Sequence, residues 1–507
     1  MMKESSVQEA VSQAPSSVST DNDRGSLDYI LVSFEENDPV NPHNWKRWKK
    51  AMVVVTATVI SINSSLGSAL TSNLMPYLQE TFHVPDGPQT VLPASVYLMG
   101  FVCGPLIFAP LSEAYGRKPV LLVGFSGFTI WTVASPLAPN WPAFLIFRFL
   151  SGTFGAPPLS VMGGCIADVF VDSKVRGIAM MSWSAATFIG PLTAPIVGGF
   201  LGRIDWHWAF WVALIFAALS AGFLIWLPET LAAKLLRTKA KKLNKANNSE
   251  AYISPYDLER GSLLSTLGTT LTRPVRLLCN EMLLTSTCIY MAFVYASFYM
   301  LLVISTRIFQ NIYHFSPGIS GVCFLMIALG TIIGCCIQVW FDNRLAPRLA
   351  AKHPRKRPEY LRLPLACIGG PCFMISLLWL GWSAKAEIHW IVPLLATVPY
   401  GLANQLIFMA LINYVADAYG VYSASALAAC GATRSFAGAL IPLAVTNMLE
   451  ALGIAWSCTL LAFIAAALCA VPFCFIIWGE KIRSRSRFSS GLQQQAEMGL
   501  TRSISLV

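Results

Sequence analysis

Three stretches of this 507-residue chain, Ala51–Tyr77, Val120–Ala138 and Ile454–Trp478, contain no Asp, Glu, Lys or Arg. Each is long enough, as a helix rising about 1.5 Å per residue, to cross a hydrocarbon layer of about 30 Å. Apolar runs of this kind recur twelve times, at about 51–75, 88–110, 120–138, 142–166, 178–201, 207–227, 283–304, 318–340, 364–383, 390–415, 423–447 and 455–478. Only 12% of residues are charged, against roughly 25% in soluble domains, which excludes an ordinary water-soluble fold.

The twelve runs split six and six around a polar stretch holding Lys234, Arg237, Lys239, Lys241, Lys242 and Lys245. The expected layout is an amino-terminal tail over 1–50, largely disordered, a six-helix bundle over 51–228, and a basic linker over 229–282. A second six-helix bundle over 283–478 and a tail over 479–507 complete it. Basic residues gather in alternate loops: Lys46 to Lys50, Arg117 and Lys118, Lys174 and Arg176, the linker, the Arg344–Arg362 loop and the tail from Lys481. The opposite loops hold chiefly Arg203, Arg307 and Lys385. By the positive-inside rule both termini and the linker face the cytosol. The net charge of +10 therefore reads as membrane topology, with no nucleic-acid partner. The 13 cysteines show no paired metal-site spacing and read as apolar fillers.

Small residues mark where helices approach closely. Gly190, Ala194 and Gly198 fall on one face of the fifth run, and Gly431, Ser435 and Ala439 on one face of the eleventh. Gly100 with Gly104, and Gly330 with Gly334, repeat the device half a chain apart. Close backbone contacts at matching places in two halves suit two bundles that rock around a shared site.

Several motifs resemble those of the major facilitator superfamily. The turn Ala109-Pro-Leu-Ser-Glu113-Ala-Tyr-Gly116-Arg117-Lys118-Pro119 is similar to that family's loop between helices two and three, with Ala109 and Glu113 where Gly and Asp are commoner. Physically, Gly116 permits a tight turn and Arg117 can bridge to another helix. The resemblance implies that Glu113 docks at the start of span eleven and that Arg117 pairs with Asp168, a latch completed by Gly116 and Lys118. Phe147-Arg148-Phe-Leu-Ser151-Gly152-Thr-Phe-Gly155 is similar to the family's Arg-bearing fourth helix, which implies a role for Arg148 in proton coupling. An arginine in hydrocarbon is costly unless it faces a polar interior. Gly190-Pro191-Leu-Thr-Ala194-Pro195-Ile-Val-Gly198-Gly199 looks like the antiporter motif, which implies export and close packing against the other half.

The resemblance narrows to fungal drug:proton antiporters with twelve spans, on Asp38-Pro-Val-Asn-Pro-His-Asn-Trp45, Tyr414-Val-Ala-Asp417-Ala-Tyr-Gly420, and Ala424 to Leu427 leading to Arg434-Ser435. In that fold spans one, four, seven and ten line the cavity with their neighbours. The polar residues Asn63, Tyr295, Tyr299, Asn404, Gln405, Asn413 and Arg434 are therefore cavity candidates. No Asp or Glu lies near the middle of span one or span four; Asp168 and Asp417, near span ends, join Arg148 as proton-coupling candidates.

The sequence thus describes an all-α membrane protein of the major facilitator fold, twelve helices in two pseudo-symmetric bundles. The expected activity is proton-coupled efflux of a hydrophobic drug or secondary-metabolite toxin by a monomer in the plasma membrane, the vacuolar membrane being the alternative. No cofactor is expected, and the proton gradient drives transport. A polyamine or nutrient carrier would want carboxylates embedded in the cavity. A membrane enzyme would want a nucleophile and base at depth, whereas all six histidines fall in loops or at interfaces.

Overall fold

The last apolar helical segment, Ser425–Gly479, is 55 residues long, about 80 Å of helix and far more than one crossing needs. It turns back at Gly453, whose backbone (φ 71, ψ 174) departs from the helix into the positive-φ region that favours glycine. The eleven apolar segments found among the described residues therefore make twelve passes. The computed structural model describes residues 29–35, 37–248, 251–258, 263–352, 358–419 and 423–484. Most of the amino-terminal tail expected to lack order, Gly420 of the span-ten motif, and the tail beyond 484 lie outside the described residues.

One half comprises Arg47–Ala69, Leu92–Tyr115, Arg117–Leu137, Trp141–Val169, Val175–Leu201 and His207–Trp226. The other comprises Met282–Ile312, Pro317–Leu349, Leu363–Ser383, Ile391–Tyr419 and the two arms of the folded-back segment. The loops rich in Lys and Arg share one end of the bundle, here called the basic end; the other is the far end.

The glycines explain how the halves repeat each other. A Cβ on Gly100 or Gly152 would strike the backbone of the fourth or second span, respectively. A Cβ on Gly330 or Gly401 would do the same between the eighth and tenth spans. The same pair of helices in each half is thus drawn together by absent side chains.

The antiporter ladder divides its contacts in a way the spacing does not show. Gly190 and Gly198 face the first span of their own half: Cβ atoms there would stand 2.7 Å from the Ile62 carbonyl and 2.9 Å from that of Leu70. Ala194 is buried on the same face. The half-to-half contact expected of Gly198 belongs instead to its neighbour Gly199, which abuts Pro317 and Gly318 of the eighth span. Pro195 joins it, its carbonyl 2.6 Å from a Cβ built on Gly321. In the eleventh span a Cβ added at Gly431 would meet nothing within 4 Å, while one at Gly438, the tight position, would stand 2.9 Å from the Tyr295 ring.

The linker is more ordered than its composition suggests. It forms helices Ala232–Asn247 and Leu263–Asn280. Tyr252–Ile253 pairs in parallel with Ile30–Leu31 from the amino-terminal tail. Val32 packs with Leu236 and Ala240, and Lys239 holds Asp38 at 2.9 Å and Glu35 at 3.1 Å. Of the tail expected to be largely disordered, residues 29–35 and 37–50 are therefore fastened to the linker or continue into the first span.

Candidate functional site

At the basic end the chain turns at Gly116 (φ 104) and enters the third span at Arg117. The Arg117 guanidinium reaches Asp168 at the end of the fourth span, Nε to Oδ2 3.4 Å, and donates to Ser112 Oγ at 2.8 Å. Its backbone N–H donates to Glu229 Oε1 at 2.9 Å. Glu229 also accepts from the N–H groups of Thr230 and Leu231 and pairs with Lys234. Lys118 Nζ donates to the Ile225 carbonyl at 2.8 Å. A carboxylate does cap a helix start here, as the dipole favours, but it is Glu229. Glu113 is exposed, and residues 420–422, beside its expected dock, lie outside the described residues.

The second half builds the counterpart. Arg362, at the entry to the ninth span, bridges Asp342 at 3.0 Å and Asp417 at 3.4 Å. Asp417 ends the tenth span as Asp168 ends the fourth. Sequence reasoning found Asp417 without its partner; the available signal was the arginine immediately before an apolar run, in the position Arg117 holds in the first half.

Two arginines lie within the bundle, one per half. Arg148 is 2% exposed. Its Nη2 donates to the Gly67 carbonyl at 2.6 Å and its Nε to that of Pro93 at 3.3 Å. Its guanidinium carbon stands 4.5 Å from the centre of the Tyr97 ring, and the Tyr97 hydroxyl donates to the Ser64 carbonyl at 2.7 Å. Arg434 stands over Tyr295 at 5.2 Å and Phe408 at 5.0 Å, and its Nε is buried with no hydrogen-bond partner. Phe408 meets Phe188 of the other half, ring centroids 4.9 Å apart, and Phe188 meets Phe298 at 5.9 Å.

A hydroxyl chain connects these surroundings. Tyr295 and Tyr299 approach at 3.5 Å, and the Tyr299 hydroxyl lies 2.7 Å from Ser68 Oγ, across the boundary between halves. Of the cavity candidates, Tyr295, Tyr299 and Arg434 come together. Asn404 is buried one turn from Phe408, its Oδ1 unpartnered. The others stand apart. Asn63 donates to Ser220 in the sixth span at 3.4 Å, Gln405 faces Gly334 of the eighth, and Asn413 sits one turn from Asp417 at the basic end. Tyr97, Ser68, Phe188 and Phe408 went unnoticed because ring and hydroxyl side chains in an apolar run look like packing.

Towards the far end, Asn73 ties the halves. Its Nδ2 donates to the Pro317 carbonyl at 2.9 Å and to Ser320 Oγ at 3.4 Å, and its Oδ1 accepts from Thr306 at 3.2 Å. Beside it a cavity of about 290 Å³ opens between the halves, lined by Gln79, Asp86, Tyr299, Thr306, Arg307 and Gly438 among others. One helical turn inward from Tyr299 and Gly438 lie Tyr295 and Arg434, so the cavity stops at the aromatic cluster.

The sequence profile of the Major Facilitator Superfamily matches residues 57–442. The chain belongs to the major facilitator superfamily. Relatives of this superfamily member include the multidrug transporter mdrA of Aspergillus fumigatus, 37% identical over 463 residues, covering 90% of this chain and 76% of that one. The efflux pump radE of Floropilus chiversii is 37% identical over 457 residues, with 89% and 84% covered. The transporter penM of Penicillium rubens is 37% identical over 461 residues, with 90% of each covered. Among solved structures, the xylose transporter XylE from E. coli, partially occluded and inward open, superposes with a TM-score of 0.63 at 15% identity, covering 84% of this chain and 98% of that one. The human organic anion transporter MFSD10 gives 0.55 at 16% identity, with 83% and 99% covered. These two share the fold. The protein is a multi-pass membrane transporter of small molecules, not an enzyme.

Proposed function

We propose that this superfamily member is a proton-coupled exporter of hydrophobic organic molecules, working as a monomer in the plasma membrane with both chain ends in the cytosol. One observation carries the mechanism. The side-chain hydrogen bonds seen to join the halves (Ser68 to Tyr299, and Asn73 to Pro317, Ser320 and Thr306) lie towards the far end. Bonds that tie the halves at the far end support a hinge that opens at the basic end. With the bonded end placed outside by the positive-inside rule, and the far-end cavity stopping at the aromatic cluster, these bonds support a loading, inward-facing arrangement.

Export then requires the far-end bonds to break while the basic end closes. The two Arg–Asp clusters sit where that closure takes place. A proton on Asp168 or Asp417 removes the charge that holds Arg117 or Arg362, which offers a route from pH gradient to conformation. Arg148 links the first, second and fourth spans beside Ser68 and transmits movement between them. Relatives named as multidrug transporter and efflux pump support the direction of transport.

The test is uptake of fluorescent drugs into inside-out vesicles from cells expressing or lacking the protein. Acidifying the lumen should drive accumulation only where the protein is present. Accumulation indifferent to the gradient would remove proton coupling, and its absence across a broad panel would remove export.

A further inference from the structure

Among the described residues Arg434 is a cation with no carboxylate paired to it. It lies on the eleventh span, about 17 Å of helix from that span's start at Ser423. Its Nε is buried without a partner, and it belongs to no ion pair among the described residues. Nor does the sequence offer an acid at that depth. The carboxylates of the spans, Glu113, Asp168, Asp342 and Asp417, stand at the basic end, and Glu450 stands beside the far-end turn. Tyr295 and Phe408 offset part of the charge through their ring faces, yet rings do not accept in-plane N–H bonds as an oxygen does. Arg434 as a whole is half-buried, with only its Nε fully enclosed, so its remaining donors can be reached by a ligand, and the neighbouring rings are side chains suited to a flat one.

We propose that Arg434 binds the anionic group of the transported molecule, a carboxylate or an ionised acidic hydroxyl, while the rings of Tyr295, Phe408, Phe298 and Phe188 hold an attached aromatic or conjugated body. The substrate class is thus aromatic organic acids. The inference rests on the transport reading above and narrows its substrate. A carboxylate can take the guanidinium edge through two parallel N–H···O bonds, and Asn404 lies one turn from Phe408 as a further polar neighbour. Phe188 belongs to the first half, so a ligand entering this cluster touches both halves at once. Binding would therefore be felt by the same boundary that Ser68 and Tyr299 close.

The experiment is calorimetric titration of the purified full-length protein with naphthoate and with its methyl ester, which have the same ring and differ in charge. Wild type should bind the acid about tenfold more tightly than the ester, as a charge-assisted pair predicts. Arg434→Gln should lose that preference while keeping its affinity for the ester, and Arg434→Lys should keep part of it. As a second readout on unmodified protein, naphthoate should slow phenylglyoxal modification of Arg434, followed by mass spectrometry, and the ester should not. This readout holds even if Arg434→Gln fails to fold. Equal affinity for acid and ester, no binding of the acid, an unaltered preference in Arg434→Gln, or modification indifferent to naphthoate would each overturn the proposal. Gradient-driven export of neutral drugs with no naphthoate binding would defeat this inference alone. Naphthoate binding without any gradient-driven transport would defeat the export reading alone.

Discussion

Arg148 and Arg434 are both arginines inside a membrane bundle, both against a tyrosine ring, and one belongs to each half. Arg148 spends donors on two carbonyls from two other spans, so its charge is answered by the fold itself. Arg434 leaves its buried Nε unspent and pairs with no carboxylate among the described residues, which leaves it available to a ligand. The same residue type is thus a structural tie in one half and an open receptor in the other, and only the surrounding oxygens tell the two apart.

Substitution should separate them most sharply at Arg148. Arg148→Ala removes charge-assisted bonds to buried carbonyls, each contributing roughly 1.5–3 kcal/mol. It should abolish gradient-driven export and lower the apparent melting temperature on the order of 5 °C. Arg434→Ala should leave the melting temperature unchanged or higher. Thermal-shift curves that fall equally for both variants would erase the contrast.

The next largest effect concerns the boundary between halves. Gly199→Leu should block transport with each half still folded, because its side chain would enter the backbone at Pro317. Gly198→Leu should instead destabilise the first half through Leu70 and Leu74. Proteolysis and melting should read the second defect, and vesicle uptake the first. At the basic end, Asp168→Asn should cut export about tenfold, the equivalent of losing about 1.4 kcal/mol of latch energy. Asp417→Asn should cost less, since it and Arg362 are more exposed, at 41% and 34% against 24% and 14% for Asp168 and Arg117. Tyr299→Phe removes one hydrogen bond of about 0.5–1.5 kcal/mol and should shift the balance between open and closed far ends two- to tenfold, a change that accessibility labelling of Ser72→Cys in the same cavity would show.

The smallest effect lies outside the membrane. Burial pushes the Asp38 carboxyl up, but the Val40 N–H and the Lys239 ammonium outweigh it and leave it below its ordinary value of 3.8. Burial likewise lowers Lys239, and the bonds to Asp38 and Glu35 raise it above 10.5. The contribution of Asp38 is present above its unfolded value and is lost as pH falls through the depressed one. That of Lys239 is present below its unfolded value and is lost as pH rises through the raised one. Docking of residues 30–40 on the linker should therefore be constant between about pH 5 and pH 9. Lys239→Ala should loosen it by about 1 kcal/mol at most, seen as faster amide exchange at Ile30 and Val32.

Much of this architecture is legible in the sequence, and the illegible parts share a cause. Uncharged runs reveal twelve passes because hydrocarbon admits little else, and Arg117 beside Asp168 follows from a motif whose residues are charged and local. Gly198 and Gly199 are indistinguishable in a list of small residues, since periodicity fixes a face and not the neighbour that covers it. What separates Arg148 from Arg434 is that carbonyl oxygens at Gly67 and Pro93 accept from the first, and backbone acceptors leave no mark in a sequence. Asn63 illustrates the converse: a polar residue in a span next to the boundary turned towards Ser220 in its own half.

The central claim, two halves bonded at the far end that exchange which end is closed, is tested most directly by paired spin-label distances. Labels at Arg203 and Lys385 report the far end, and labels at Val171 and Lys352 the basic end, with the exposed Cys279 and Cys336 replaced by serine. Adding substrate and lowering pH should lengthen the first distance while shortening the second. Two distances that move together, or that stay fixed while transport proceeds, would contradict the account.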